Sequence, residues 1–459
     1  MTHHHKYPTG TVIVGLGTKC GLFLLTSQDR VTWNIEATSL SKGRIFSAIF
    51  DQRNGCRLFA AENGDFFGSF IRYSDDFGQS WQEPRQGIQF PPQSDLKLQN
   101  IWTIVPGRAA EPDVVYAGVD PASLWISTDR GETWEPNPAL LSHPSRSQWG
   151  PGAGGLCLHT IIADPTLPSR MWIGISAVGC MRTDDGGRSW VFANKNTRAS
   201  FLPDPYPEFG QCIHRLVQHP TQPDVLYQQN HCGIYKSLNA GEDWIDIQHN
   251  LPSEFGFPIA LDPHHPETLF VVVEDPEGRH NSGTHFTVYR TENAGEQWTP
   301  QTHGLPEGQG VRMGVLRHAL CTDSLNPCGV YAGTKTGQLF ASNDRGDNWQ
   351  LIADFLPPSI LSQPQSCYNK RSNPYPATHP IGRSGIAPVL VECEKLWWRC
   401  MQPLPLRQSV LKPSSSRNAR FWPVMSKRGI TELGKDLFPI VYVLTIRYIS
   451  IKLIDRFPN

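Results

Sequence analysis

The chain has 459 residues, 39% of them hydrophobic and 18% charged, with a formal net charge of −1, which excludes a disordered polyelectrolyte and allows a large buried core. Forty glycines and 39 prolines exclude a helical bundle, because both residues are poor in helix interiors and frequent in turns. The bulk class is all-β. Eleven cysteines are scattered without paired metal spacing and read as mostly reduced thiols, with Cys321 and Cys328 as two buried thiols rather than a bridge.

Residues 1–10, M-T-H-H-H-K-Y-P-T-G, form an N-terminal arm without the apolar stretch of a secretory leader. The longest apolar candidate for a membrane span, residues 437–454, is interrupted by Arg447 and Lys452. The expectation is a cytoplasmic, monomeric protein with no membrane partner.

From residue 27 onward one pattern recurs: Ser or Thr, any residue, Asp or Asn, any residue, Gly, two residues, Trp. It reads S-D-D-F-G-Q-S-W at 74–81, S-T-D-R-G-E-T-W at 127–134, T-D-D-G-G-R-S-W at 183–190, S-L-N-A-G-E-D-W at 237–244, T-E-N-A-G-E-Q-W at 291–298 and S-N-D-R-G-D-N-W at 342–349. A shortened copy, S-Q-D-R-V-T-W, occupies 27–33. The seven tryptophans are spaced by 48, 53, 56, 54, 54 and 51 residues, a period that suits a four-stranded blade with its loops.

Each box has a physical logic. The acidic or amide oxygen accepts hydrogen bonds from amides of its own turn, Gly supplies a positive φ, and Trp packs between sheets. Two copies carry Asn239 and Asn293 where the others have Asp. That exchange keeps the acceptor and discards the charge, so Asp76, Asp129, Asp185 and Asp344, with Trp81, Trp134, Trp190, Trp244, Trp298 and Trp349, are assigned a structural role. The pattern resembles the Asp-box, or BNR, repeat of sialidase-like and sortilin-like propellers, over about residues 11–356. The resemblance implies a seven-bladed β-propeller of four-stranded antiparallel blades. It covers sialidases, the luminal domain of sortilin and xyloglucan-cleaving glycosidases, so it implies a fold more than an activity.

With each box between the third and fourth strands, the inner strands fall at 45–50, 101–105, 157–163, 212–218, 257–261 and 312–318. Blade one lacks an inner strand of its own. Its second strand begins at Thr11, so residues 358–362 are expected to close the ring by pairing the two chain ends. The propeller thus spans 11–362.

Strand direction places the boxes on one face and the inner-strand starts and second-to-third loops on the other. That second face holds Arg44, Trp102, His159, His214 and Arg312, with Glu62, Asn63, Asp65, Asp120, Asn230, His231, Glu274 and Asp275 on the loops. Such a polar rim suits a carbohydrate or protein ligand at the channel mouth. His159, His214 and His231 are the set for a divalent metal, and no other cofactor is expected. The alternative is a glycoside hydrolase that uses loop carboxylates as acid and base, with Glu62, Asp120 and Glu274 as candidates.

Among the enzymes the repeat resembles, sialidases need three arginines, a Tyr–Glu pair and an Asp. The segment Gly43-Arg44-Ile45-Phe46 resembles their Arg-Ile-Pro element without its Pro; Arg312 is a second arginine and no third emerges. Sialidases of this type have six blades, which argues against their chemistry here.

Charge is uneven along the chain. From residue 362 onward there are 15 Lys and Arg against 5 Asp and Glu, a net of +10 that leaves the propeller at −11. An acidic propeller argues against nucleic acid as a partner. Residues 363–459 abandon the repeat grammar and form a basic tail, read either as an appended segment or, preferably, as translation in a shifted frame.

Overall fold

The computed structural model describes residues 7, 8 and 10–357 and the backbone of 363–366. The chain divides into two units, Met1–Leu396 and Trp397–Asn459, and every described residue belongs to the first. The proposed closing segment 358–362 and the tail from 367 onward lie outside the described residues. No helix among the described residues is long and apolar enough to cross a membrane.

Seven antiparallel sheets follow one another around a ring. Blade one holds Val12–Thr18, Gly21–Ser27 and Asn34–Ala37; blade two holds Arg44–Asp51, Arg57–Gly64 and Gly68–Ser74. In blade two a single bridge between Tyr73 and Gln82 stands in the place of a fourth strand. Blade three is Asn100–Pro106, Val115–Asp120, Ser123–Ser127 and Glu135–Pro136, and blade four is Leu158–Ala163, Met171–Ile175, Gly179–Thr183 and Val191–Phe192. Blade five comprises Ile213–Gln218, Leu226–Asn230, Gly233–Ser237 and Ile245–Asp246. Blade six comprises Gly256–Leu261, Leu269–Val273, Val288–Thr291 and Thr299–Gln301; blade seven, Leu320–Thr322, Val330–Gly333, Leu339–Ser342 and Gln350–Ala353. Beside Val12–Thr18 lies Gln363–Ser366, antiparallel, with Val12 opposite Ser366 and Gly15 opposite Gln363. These four residues fall within the range the sequence reads as tail.

Blades one and seven pack directly on each other. Trp33 meets Tyr331 edge to face at 5.8 Å, and Val12, Val14 and Leu25 share one buried cluster with Cys321, Tyr331 and Leu339. Tyr7, within the expected arm, is buried against Phe77 at 5.4 Å.

The boxes fold as their chemistry requires. In the third, Asp129 accepts from the Thr133 amide and hydroxyl, each at 2.8 Å, while Ser127 Oγ donates to Asp129 at 2.8 Å and accepts from the Gly131 amide at 2.7 Å. Gly131 has φ +87°, and a Cβ there would come within 2.6 Å of the Phe59 ring in blade two. Asn239 and Asn293 do the same work, accepting from the amides of Asp243 (3.2 Å) and Gln297 (3.0 Å). The shortened box lacks glycine, yet Arg30 takes φ 59° and Asp29 accepts from the amides of Val31 and Thr32. Five of the seven indoles donate to an oxygen beside the turn, among them Trp244 to Ala193 and Trp298 to Ile247, both in the preceding blade.

A second recurring cap lies where the inner strands end. Asp164, Asp262 and Asp323 are buried, and each accepts from amides of its own first-to-second turn: Thr166 and Leu167, His264 and His265, and Leu325. In blade five His219 Nδ1 takes that place, accepting from Thr221 and Gln222. Burial alone would raise the Asp164 carboxyl, but the Leu167 and Thr166 amides and Arg170 outweigh it and hold its pKa below the usual range.

The inner strand assigned to 312–318 is not a strand. Blade seven instead begins at Leu320–Thr322, preceded by a 3₁₀ turn, Arg317–Ala319. The reason lies in blade six. Asn281 Oδ1 accepts from the Met313 amide at 2.8 Å, and Glu274 Oε1 accepts from the Val315 amide at 2.8 Å. Donors committed to a neighbouring loop cannot join a ladder.

Candidate functional site

Five inner strands share an irregularity near their starts. The register shifts between Ile45 and Ser47, Ile101 and Thr103, Leu158 and Thr160, Ile213 and Arg215, and Gly256 and Ile259. Such bulges re-aim the extra side chain. The residues skipped are Phe46, Trp102, His159, His214 and, in the wider bulge, Phe257 with Pro258. Their rings meet: Phe46 lies 4.8 Å from Trp102, and His214 stacks on Phe257 at 4.5 Å. From blade seven Arg317 reaches over Trp102 at 5.2 Å, donates through Nε to the His214 carbonyl and through Nη2 to Ser176 Oγ. Together they form a buried floor beneath the mouth.

Several sequence-selected residues therefore belong to that floor. Trp102 and His159 are 1% and 0% exposed, and His214 is 2% exposed. His159 uses both ring nitrogens, Nδ1 with Thr160 Oγ1 at 2.9 Å and Nε2 with the Ile213 carbonyl at 3.0 Å. Burial first, then Arg317, holds the His159 and His214 pKa values well below the ordinary 6.5. Asn63 is buried and pins blade two to blade three through the amide and carbonyl of Ile101. Asn230 is buried as well.

The remaining selected residues lie nearer solvent, with one exception. Arg44 pairs with Asp65 at 2.7 Å. Arg312 is exposed and donates to its own loop at Gln309 and Val311, in a hollow of about 290 Å³ that it shares with Asp275 and His280. His231, half-buried, packs against Phe201 and Phe255.

The three candidate carboxylates sit in blades two, three and six. Glu274 is fully buried, with one oxygen on the Val315 amide and the other on Lys335 Nζ at 2.9 Å. Its pKa is raised by burial despite Lys335. Glu62 is held by Arg72 at 2.9 Å, at the edge of a second hollow of about 320 Å³ near Lys42 and Trp81. Asp120 ends its strand half-buried beneath the 150–156 loop, where a Cβ on Gly155 would overlap its carboxylate. Glu62 and Glu274 thus each have a cationic partner.

The face also carries features that charge-centred reading missed. Phe66 and Phe67, at the second-to-third turn of blade two, are 84% and 88% exposed, and Phe201 and Tyr206, on the connection into blade five, are also exposed. Cys212, which precedes the inner strand of blade five, lies 3.5 Å through Sγ from His214 Nε2. The sequence signal was present in both cases: two adjacent phenylalanines in a turn, and a Cys-x-His at a strand start.

A family model described as the BNR/Asp-box repeat matches residues 72–83 and 125–136, two of the turns whose geometry is described above. The chain is a seven-bladed β-propeller that carries BNR/Asp-box repeats. This propeller is similar to Xyloglucanase Xgh74A of Acetivibrio thermocellus, 22% identical over 317 residues, which make up 63% of this chain and 35% of that protein. It is also similar to a probable oligoxyloglucan-reducing end-specific xyloglucanase of Neosartorya fischeri, 24% identical over 152 residues, covering 32% of this chain and 18% of that one. The chain thus spans about a third of the length of the first of these relatives. Among solved structures, a GH74 enzyme of Niastella koreensis superposes with a TM-score of 0.52 at 18% identity, covering 73% of this chain and 51% of that chain.

Proposed function

We propose that this Asp-box propeller is a polysaccharide-engaging module of the glycoside-hydrolase kind, and that it grips a xyloglucan-like β-linked glucan across the mouth face. One observation carries the reading: Phe66 and Phe67 stand almost fully exposed at the tip of a turn on that face. Exposed apolar rings are costly unless they serve contact, and aromatic faces suit the C–H faces of sugar rings. The similarity to xyloglucanases supports the same ligand class.

The similarity to xyloglucanases also supports bond cleavage. A glycosidase needs two carboxyl groups flanking the bond, and Glu62 and Glu274 are both committed to cations. Asp120 is the third candidate for an acid or base; binding is proposed as the primary role and hydrolysis as the second reading.

The test is native electrophoresis in gels containing xyloglucan, alongside an assay of reducing ends. The expected result is retardation that weakens about tenfold, equivalent to about 1.4 kcal/mol, when Phe66 and Phe67 are both changed to Ala. A folded protein that migrates unretarded in xyloglucan overturns the proposal. Release of reducing ends that disappears in Asp120→Asn would replace binding with cleavage.

A further inference from the structure

We infer that Cys212, His214 and His231 form a binding site for one transition-metal ion of the zinc class. The three residues come from one hairpin of blade five. Cys212 and His214 are two apart at the start of the inner strand, and the His231 amide donates to the Cys212 carbonyl at 2.9 Å, which holds the second-strand turn beside them. His214 is the bulged residue, without a ladder partner between Ile213 and Arg215.

The donor geometry fits a tetrahedral ion. One donor atom from each residue lies within 4.8 Å of the other two, and the Cys212 Sγ to His214 Nε2 separation is 3.5 Å. Zinc bonds of about 2.3 Å to sulfur and about 2.0–2.1 Å to nitrogen, opened to a tetrahedral angle, set those two atoms about 3.5 Å apart. His214 Nδ1 lies 2.6 Å from the Gly256 carbonyl and donates to it, so the unprotonated Nε2 faces the sulfur, as metal-bound histidines are commonly oriented. Phe257, Phe255 and Phe201 pack their rings against the two imidazoles.

Electrostatics shape which ion fits. Guanidinium groups lie nearby, Arg317 beside His214 and Arg279 beside His231. The same arginines oppose a bare dication. A Cys212 thiolate, formed as the ion displaces the thiol proton, offsets part of that charge, so the site depends on sulfur rather than on imidazole alone. Three protein donors leave one tetrahedral position for water or a ligand. His159 is outside the set because both of its nitrogens are engaged elsewhere; Cys212 replaces it.

The experiment uses the full chain with His3, His4 and His5 changed to Ala, which removes competing N-terminal imidazoles. After stripping with a chelator, Co²⁺ is titrated in and then displaced by Zn²⁺. The expected result is one Co²⁺ per chain with a thiolate-to-cobalt charge-transfer band that Zn²⁺ abolishes. Cys212→Ser should lose the band, and His231→Gln should weaken binding at least tenfold while the metal-free melting temperature is unchanged. Absence of stoichiometric cobalt with a sulfur band in the folded protein overturns the site, as does binding unaffected by His231→Gln. If Cys212→Ser fails to fold, the half-buried His231 variant still decides. No polysaccharide enters the measurement, so its outcome is independent of the proposed function.

Discussion

At the scale of single residues, the Asp-box acid works as a hydrogen-bond acceptor. Asp129 is reached by the Thr133 amide, the Thr133 hydroxyl and Ser127 Oγ. Burial alone would raise its pKa, but these donors outweigh burial and lower it. Asn239 and Asn293 satisfy the same turn without a charge. Replacing Asp129 by Asn should therefore cost well under about 1 kcal/mol, whereas Asp129→Ala, which strands the Thr133 amide, should cost about 1–2 kcal/mol. Urea unfolding of the two variants checks this, and equal losses would mean that charge, not acceptance, matters. Glu274 follows the opposite rule because it is buried and paired. Glu274→Ala strands the Val315 amide and leaves Lys335 with the Arg279 carbonyl but no counter-charge, and should cost about 3 kcal/mol, measured in the same way.

At the scale of elements, what was legible in the sequence was local and what escaped was long-range. The box turns could be read because every hydrogen bond that shapes them lies within a few residues, and their spacing fixed the number of blades. The inner strand of blade three, expected at 101–105, falls within a residue of Asn100–Pro106 in the structure. The inner strand of blade seven could not be read, since 312–318 has suitable apolar residues and loses its amides to Asn281 and Glu274, some 30 to 40 residues earlier. The bulges were invisible for a similar reason: a bulge is a register between two strands, and it turned Trp102 and His159 from expected rim residues into floor. The turn caps at Asp164 and Asp262 did leave a signal, since Asp164-Pro165, His219-Pro220 and Asp262-Pro263 recur one blade apart. The floor and the rim should respond differently to truncation. Trp102→Ala removes a ring packed on Phe46 and Arg317 and should cost about 3–5 kcal/mol while leaving xyloglucan retardation of the folded fraction intact. A Trp102→Ala protein of normal stability that no longer binds would place this indole in the ligand site instead.

At the scale of the whole molecule, the ring concentrates buried imidazoles at its axis, and this ties stability to pH. His159 and His318 are buried; burial first, followed by Arg317 near His159 and Arg215 near His318, pushes both pKa values well below 6.5. In the unfolded chain both return to about 6.5. Below that pH the unfolded chain binds protons that the folded ring refuses, so the unfolded state holds more protons and stability falls as pH falls. The contribution is complete above pH 6.5 and is lost progressively beneath it, with a limiting slope of about 2.7 kcal/mol per pH unit for two sites. Asp164 and Asp262, whose pKa values are lowered in the fold, add a second decline of the same sign below about pH 3.8. Melting temperature measured from pH 7.5 to 5 in the presence of a chelator should drop steadily, and His318→Gln should flatten the curve by about a third, since His159 and His214 remain as buried imidazoles of the same kind. A profile level from pH 7 to 5 would mean that the axis admits protons while folded, and that the floor beneath the mouth is open to water rather than buried.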